Sequence, residues 1–107
     1  MKKYLIMLSE RAVHDLDDIC GYISDNLGNN KAAEDMFYKL HNKINSLKYS
    51  PRRYRLIDND DPGLIGMRVV HVGKYNIYYK IEDGHNDVLI IAILYHGIDI
   101  SKIKLDN

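Results

Sequence analysis

The sequence predicts an α+β fold in which a helical hairpin packs on one face of an antiparallel sheet, in the order β-α-α-β-β-β. Two observations predict this class. Apolar residues recur at helical spacing through the first half of the chain, and from about residue 66 onward they follow the two-residue alternation of strands. The length of 107 residues is typical of one domain, so we expect a single domain over residues 1–107.

The chain is predicted to begin with a strand at Lys2–Leu8, where apolar side chains alternate between two faces. Ser9 is a favourable N-cap for the helix that follows, and apolar residues continue at helical spacing as far as Leu27. Gly21 interrupts this helix at a cost of about 1 kcal/mol relative to Ala. We therefore expect a packing reason for this glycine.

A second helix is predicted to follow at once, with an Asn as its cap. Its apolar stripe runs from Ala33 to Leu47, and Pro51 ends it. Two long helices joined by so short a link form an antiparallel hairpin. The stretch from Tyr49 to Gly66 is rich in charge, Pro and Gly and is predicted to be a loop.

Three antiparallel strands are predicted next, at Met67–Val72, Tyr75–Ile81 and Val88–Tyr95, and we expect the first strand of the chain to join the same sheet. Gly73-Lys74 fits a two-residue type II′ turn, and Asp83-Gly84 makes the second turn. The third of these strands is an unbroken apolar run, which indicates that both of its faces are covered.

Composition excludes several classes of protein. The longest apolar run has eight residues, far short of the roughly twenty that a membrane span needs, so we expect no membrane association. The N-terminus lacks the features of a signal peptide, and a single Cys20 suits a reducing cytosol, so we expect a cytoplasmic protein. The usual metal, nucleotide and hydrolase motifs are absent, and we expect no cofactor and no metal.

Charge is distributed unevenly although the net charge is zero. The segment from Lys39 to Arg55 holds six basic residues and no acidic one, which leaves nine basic and fifteen acidic residues in the rest of the chain. Such a local basic patch can bind an anion even when the whole molecule is neutral. Its residues Lys48, Arg52, Arg53 and Arg55 are candidates for contact with a phosphate backbone.

The candidate catalytic residues are His96, Tyr95 and Arg68. Tyr95 and His96 end the last apolar strand, where a phenol and an imidazole are placed to transfer protons. Arg68 is the only charged residue of its strand, and we expect its guanidinium to emerge on the open face. Structural alternatives are a strand-end His96 bonded to backbone and a salt bridge between Arg68 and an Asp. Together with the arginine loop, these residues supply what RNA cleavage requires.

The chain resembles toxins of the RelE/ParE superfamily of bacterial type II toxin–antitoxin systems. The resemblance covers nearly the whole chain, through YLIMLSERAVHDLDDICGYI at 4–23, AAEDMFYKLHNKINSLKYSPRRYRLID at 32–58 and GMRVVHVGKYNIYYKIEDGHNDVLIIAILYHGID at 66–99. It implies a compact sheet with a helical hairpin, no cofactor, and a cognate antitoxin that wraps the toxin. We expect this antitoxin on the Lys39–Arg55 patch and any apolar groove beside it.

The same resemblance implies three possible activities. RelE-like members cleave messenger RNA in the ribosome, and ParE-like members inhibit DNA gyrase without catalytic residues. An inactive antitoxin-binding module is the third. Two departures from the nuclease pattern are Asn76, where the family often has Arg, and Ile98-Asp99, where basic residues often follow the strand-end Gly. The sequence favours ribosome-dependent mRNA cleavage narrowly, with gyrase inhibition as the alternative.

Overall fold

The computed structural model describes residues 3–105, and it confirms the α+β fold and the order β-α-α-β-β-β. The main elements are β1 (Leu5–Leu8), α1 (Glu10–Gly21), α2 (Asn30–Ser46), β2 (Arg68–Val72), β3 (Tyr75–Glu82) and β4 (Asp87–Tyr95). The first strand starts three residues later than the sequence predicts, and the predicted position Lys2 lies outside the described residues.

The four strands form one sheet in the order β1-β4-β3-β2. The pairs β2–β3 and β3–β4 are antiparallel, as predicted, whereas β1 runs parallel to β4 and makes the sheet mixed. Tight hairpins impose antiparallel pairing on β2, β3 and β4. The connection from β1 to β2 passes through two helices and imposes no such direction on β1.

Both faces of the sheet are covered, though by different parts of the chain. The helical hairpin buries one face, through a core that includes Leu40, Leu47, Ile77, Tyr79 and Ile90. On the other face, a second core forms beneath the loop before β2 and the C-terminal tail; its buried members are Leu64, Met67, Val69, Tyr78, Ala92, Leu94 and Ile100. This double coverage explains the unbroken apolar run of β4.

The end of α1 differs from the predicted regular helix. Its last turn, Tyr22–Asn26, is a π-helix, and Gly28 follows with a φ of +62°. Gly21 lies at the α-to-π junction with an ordinary helical φ of −63°. A Cβ at Gly21 would meet no described atom within 4 Å, so the expected packing reason for this glycine is wrong.

Gly21→Ala should therefore stabilise the protein by about 0.5–1 kcal/mol, because Ala loses less backbone entropy in a helix and nothing crowds its methyl group. Urea unfolding followed by circular dichroism measures the change. Gly73→Ala is the matched control: Gly73 has a φ of +57°, so the same substitution should be destabilising. A loss of stability in Gly21→Ala would contradict this account of the junction.

Candidate functional site

The candidate site lies where β4 extends beyond the end of its neighbour β1. Leu8, the last residue of β1, pairs with Ile90, whereas β4 continues to Tyr95. At the same point the register of β4 against β3 shifts, so that Tyr78 pairs with Ala92, Tyr79 pairs with Ile90, and Ile91 forms a bulge. Beyond the bulge, the described chain places no strand on the β1 side of β4.

The start of α1 covers part of this uncovered edge. The Ser9 hydroxyl donates to the Ile91 carbonyl at 2.7 Å and accepts the Ala12 N–H at 3.0 Å, so it caps the helix and the bulge together. The Asp15 carboxylate accepts the Ile93 N–H at 3.0 Å and pairs with Arg11 at 3.3 Å. Side chains of α1 therefore replace the hydrogen bonds that a longer β1 would make.

A cleft of about 850 Å³ opens beyond Asp15, between the helical hairpin and the end of the sheet. Its lining is mostly apolar and comes from α1, the π-helical turn, α2, the β2–β3 turn and the end of β4. Four large side chains of this lining, Tyr22, Leu27, Tyr95 and Ile98, are between 42% and 60% exposed. Clusters of this kind on a small protein mark a binding surface.

Charges of both signs line the same cleft. Arg11 and Lys74 contribute positive charge, and Asp15 and Asp18 contribute negative charge. Because Arg11 is already paired with Asp15, the lining has no excess of positive charge.

Tyr95 ends β4 and lines this cleft, and His96, the next residue, lies outside the lining. Both residues are exposed, and their ring centroids are 4.6 Å apart. Tyr95 also contacts the ring of Tyr75 edge-on at 5.9 Å, and the His96 N–H donates to the Lys74 carbonyl at 2.8 Å. Burial is the largest of the causes that raise the pKa of Tyr75, and the neighbouring Tyr95 is the second.

The predicted placement of Arg68 on the open face is wrong. Arg68 pairs across the sheet with Tyr79, on the face that the helices cover. Its guanidinium donates to the carbonyls of Tyr54, at 2.7 Å, and Arg52, at 3.2 Å. Tyr79 is fully buried and donates to the Pro51 carbonyl at 2.6 Å. The two side chains together fasten the segment that follows α2 to the sheet.

Two of the loop arginines are also engaged within the fold. Arg53 donates to the Ser46 hydroxyl at 3.0 Å and to the Ser46 carbonyl at 3.5 Å, at the end of α2, and to the carbonyls of Tyr49 and Ser50 in the turn that follows. It also lies 4.8 Å from the Tyr54 ring. Burial alone would raise the pKa of Tyr54, but Arg53 and Lys43 together outweigh it and lower that pKa. Arg52 forms a salt bridge with Asp83.

The remaining two predicted phosphate-binding residues lie in the same region. Arg55 is exposed, and its carbonyl accepts the Val69 N–H at 3.1 Å. Lys48 is partly buried, and its carbonyl accepts the Tyr4 N–H at 2.9 Å. Both residues thus stand beside the first residues of β1 and β2.

The sheet register separates the predicted site residues into two groups. Arg68 is level with Tyr79, and His96 is level with Lys74, which lies five residues away along β3. This corresponds to about 16 Å along the strands, at roughly 3.3 Å per residue. The structure brings Tyr95 and His96 together at one end of the sheet, and Arg68 together with the basic loop at the other.

Asn76 occupies the position at which the nuclease pattern often has Arg. It is buried on the sheet face opposite the helices, where its side chain bonds to His71 and donates to the Tyr78 hydroxyl at 3.3 Å. This position therefore adds no charge to the cleft.

Most cleft residues were missed by the sequence analysis. Arg11, Asp15, Asp18 and Tyr22 recur at helical spacing along one flank of α1, beside its core stripe. A search for a second stripe on that helix would have found them. Residues that form the cleft from other elements, such as Ile98, carry no such signal because only the fold brings them there.

Comparison with known proteins decides the family. The family described as "ParE toxin of type II toxin-antitoxin system, parDE" matches residues 6–100. The chain belongs to this family. The toxin is thus a member of the RelE/ParE superfamily, which confirms the resemblance drawn from the sequence. A search of curated proteins finds no match to it.

Solved structures of toxin–antitoxin systems share the fold of this toxin. It is similar to the chromosomal ParDE system from P. aeruginosa, with a TM-score of 0.71 at 13% identity, covering 89% of this chain and 98% of that chain. It is also similar to the toxin–antitoxin complex RelBE2 from Mycobacterium tuberculosis, with a TM-score of 0.63 at 19% identity, covering 89% and 93%. A RelE mutant from E. coli in the free state matches with a TM-score of 0.56 at 17% identity, covering 85% and 81%.

Within residues 3–105, no helix is long and apolar enough to cross a membrane. In the same range, no three His, Cys, Asp or Glu side chains are grouped so that they could hold a metal ion.

The buried Tyr79 predicts a dependence of stability on pH. Burial raises its pKa from 10.0 to about 12, so an unfolded chain releases this proton at lower pH than the folded toxin does. The stabilisation is complete below pH 10 and is lost as the pH rises toward 12, by about 2–3 kcal/mol over two units.

Tyr79→Phe should remove this component and lower stability near neutral pH by about 1–2 kcal/mol, because the Pro51 carbonyl loses its donor. Urea unfolding of both proteins between pH 8 and 11.5 checks this, and the gap between them should narrow above pH 10. A difference in unfolding free energy that stays constant to pH 11.5 would contradict the raised pKa of Tyr79 in the folded toxin.

Proposed function

We propose that this toxin arrests growth by binding a protein target, DNA gyrase, as its resemblance to ParE-like toxins implies, and not by cleaving RNA. One observation carries the proposal: the arginines that RNA cleavage would require lie about 16 Å from Tyr95 and His96 along the sheet. The cytoplasm, where both candidate targets are found, is its proposed place of action.

The electrostatics of the cleft support the same proposal. Cleavage of RNA develops negative charge at a phosphate, and enzymes stabilise it with cations placed against the reacting oxygens. Around Tyr95 the cleft supplies Lys74 and a paired Arg11, against two carboxylates. Arg68 and Arg53 donate to backbone carbonyls, so moving them to a phosphate would break contacts that hold the fold.

Ribosome-dependent mRNA cleavage is the second candidate, and the exposed pair of Tyr95 and His96 favours it. The two rings are close enough to act on one proton transfer, and Lys74 is next to them in the sheet. In this alternative His96 would act as general acid or base, Tyr95 would support it, and the ribosome would supply the missing positive charge and position the RNA.

His96→Ala separates the two candidates. A general acid or base contributes about 10²–10⁴-fold in rate, so its loss would abolish growth arrest by a nuclease. We expect the variant to remain as toxic as the wild type, because the protein-binding mechanism needs no proton transfer. Growth after induction measures this, with Tyr49→Ala, an exposed aromatic substitution outside the cleft, as the control.

Sequencing of RNA ends after induction provides the independent readout. New 5′ ends inside reading frames, together with a harmless His96→Ala variant, would establish cleavage and overturn the proposal. Intact messenger RNA, arrested replication and filamentous cells would support gyrase inhibition. A wild-type toxin that causes no growth defect would favour an inactive antitoxin-binding module.

We further propose that the cleft, and not the Lys39–Arg55 patch, receives the cognate antitoxin. ParDE and RelBE relatives have been solved as toxin–antitoxin systems. The cleft combines exposed apolar side chains with the strand edge of β4 that β1 leaves uncovered. An extended segment of a partner can add to such an edge while its side chains fill the apolar cleft. In the Lys39–Arg55 patch, by contrast, Arg52 is paired with Asp83 and Arg53 donates to Ser46.

Ile98→Asp should weaken antitoxin binding at least tenfold, because it places an unpaired charge in the apolar lining. The measurement is the dissociation constant for the product of the small reading frame next to the toxin gene, preceded by co-purification. Ile65→Asp is the matched control, since Ile65 is 71% exposed and outside the cleft lining. Equal affinity of the two variants would place the antitoxin elsewhere.

A further inference from the structure

A second groove lies on the other flank of α1, between the two helices of the hairpin. It measures about 340 Å³, and its lining includes Val13, Leu16, Asp17, Cys20 and Phe37. These α1 residues are offset around the helix from those that line the cleft. The two concave surfaces thus share α1 as a common wall. We call the second surface the hairpin groove.

Large apolar side chains are exposed along the hairpin groove. Val13 and Phe37, which line the groove, are 53% and 38% exposed, and Tyr38, next to Phe37 on α2 but outside the lining, is 53% exposed. Phe37 packs edge-on against Tyr38 at 5.5 Å and stacks on His41 at 5.9 Å, which holds the aromatic cluster in place. These exposed side chains contribute little to the core, because the core stripes of both helices face the sheet.

The charges beside the hairpin groove are mainly negative. Asp17 lines it together with His14, while Glu10 and Glu34 are exposed and stand one helical turn before Val13 and Phe37. Lys31, one turn before Glu34, is paired with Asp35 at 2.7 Å. Burial, followed by the charge of Asp17, raises the pKa of the Cys20 thiol.

We propose that the hairpin groove is the surface that holds the toxin's protein target, through a basic segment of that target with apolar side chains at its centre. This inference rests on the proposed function. A target that handles DNA presents positively charged surfaces to the phosphate backbone, and the carboxylates around the groove complement such a surface. Phe37 and Val13 supply apolar surface, and burial of apolar surface is the main favourable contribution to most protein association.

The two concave surfaces differ in the kind of partner they fit. The cleft offers uncovered strand edge, which an extended chain can pair with. The hairpin groove is walled by helices whose backbone groups bond internally, so it recognises side chains on a folded surface. Antitoxin and target therefore bind on opposite flanks of α1, and α1 is the element that both of them contact.

Two exposed carboxylates allow a matched test. Asp17 lines the hairpin groove, whereas Asp60 lies in the loop before β2 and lines neither the groove nor the cleft. Asp17→Lys should reduce affinity for purified DNA gyrase at least tenfold and relieve growth arrest, because it places a cation against a basic segment. Asp60→Lys makes the same change in charge outside both surfaces and should leave both measurements near the wild-type values.

Val13→Ser is the second variant; it removes exposed apolar surface without changing charge and should also weaken gyrase binding. Circular dichroism and urea unfolding verify that all three variants fold. If Asp17→Lys and Val13→Ser remain as toxic as the wild type, the hairpin groove is not the target surface, whatever the target is. If both variants lose toxicity while the wild-type toxin neither binds nor inhibits gyrase, the hairpin groove is still the target surface, but the proposed target, DNA gyrase, is wrong.

Discussion

The unequal lengths of β1 and β4 are the constraint on which the rest of this structure depends. A four-residue strand cannot satisfy the edge of a nine-residue strand, so the peptide groups beyond Ile90 need other partners. Ser9 and Asp15 provide them from the first turns of α1. This requirement fixes where α1 begins and how it crosses the sheet, and it leaves the cleft where the helix can no longer reach the strand.

The two ends of the sheet differ in how their side chains are engaged. At one end, Arg68, Tyr79 and Arg53 bind the backbone that follows α2, and the polar groups there are engaged in holding the chain together. At the other end, Tyr22, Tyr95 and Ile98 remain exposed around an open cleft. The arginines of the basic loop therefore lie away from the exposed apolar cleft, although arginine is the residue type that a search for an RNA-binding site would follow first.

The fold could be predicted from the sequence because its signals are local. Helical spacing up to Leu47 and alternation after Gly66 identify the elements, and the positive φ of Gly73 fits its turn. The parallel pairing of β1 and the position of Arg68 could not be predicted, because both depend on contacts between distant segments. An arginine in a strand looks the same in sequence whether it binds a phosphate or two carbonyls. Here Arg68 binds two carbonyls, because the fold brings the backbone of residues 52–54 beside it.

The pairing of β1 with β4 also sets the order in which the chain can assemble. Ser9 and its partner Ile91 are 82 residues apart, so the contact that closes the sheet cannot form until nearly the whole chain exists. Loop closure over such a distance is slow compared with the formation of the hairpins of β2, β3 and β4. We therefore expect β1 to join the sheet late in folding, and it does so through backbone pairing with β4, because Leu5 and Met7 remain 65% and 46% exposed in the folded protein.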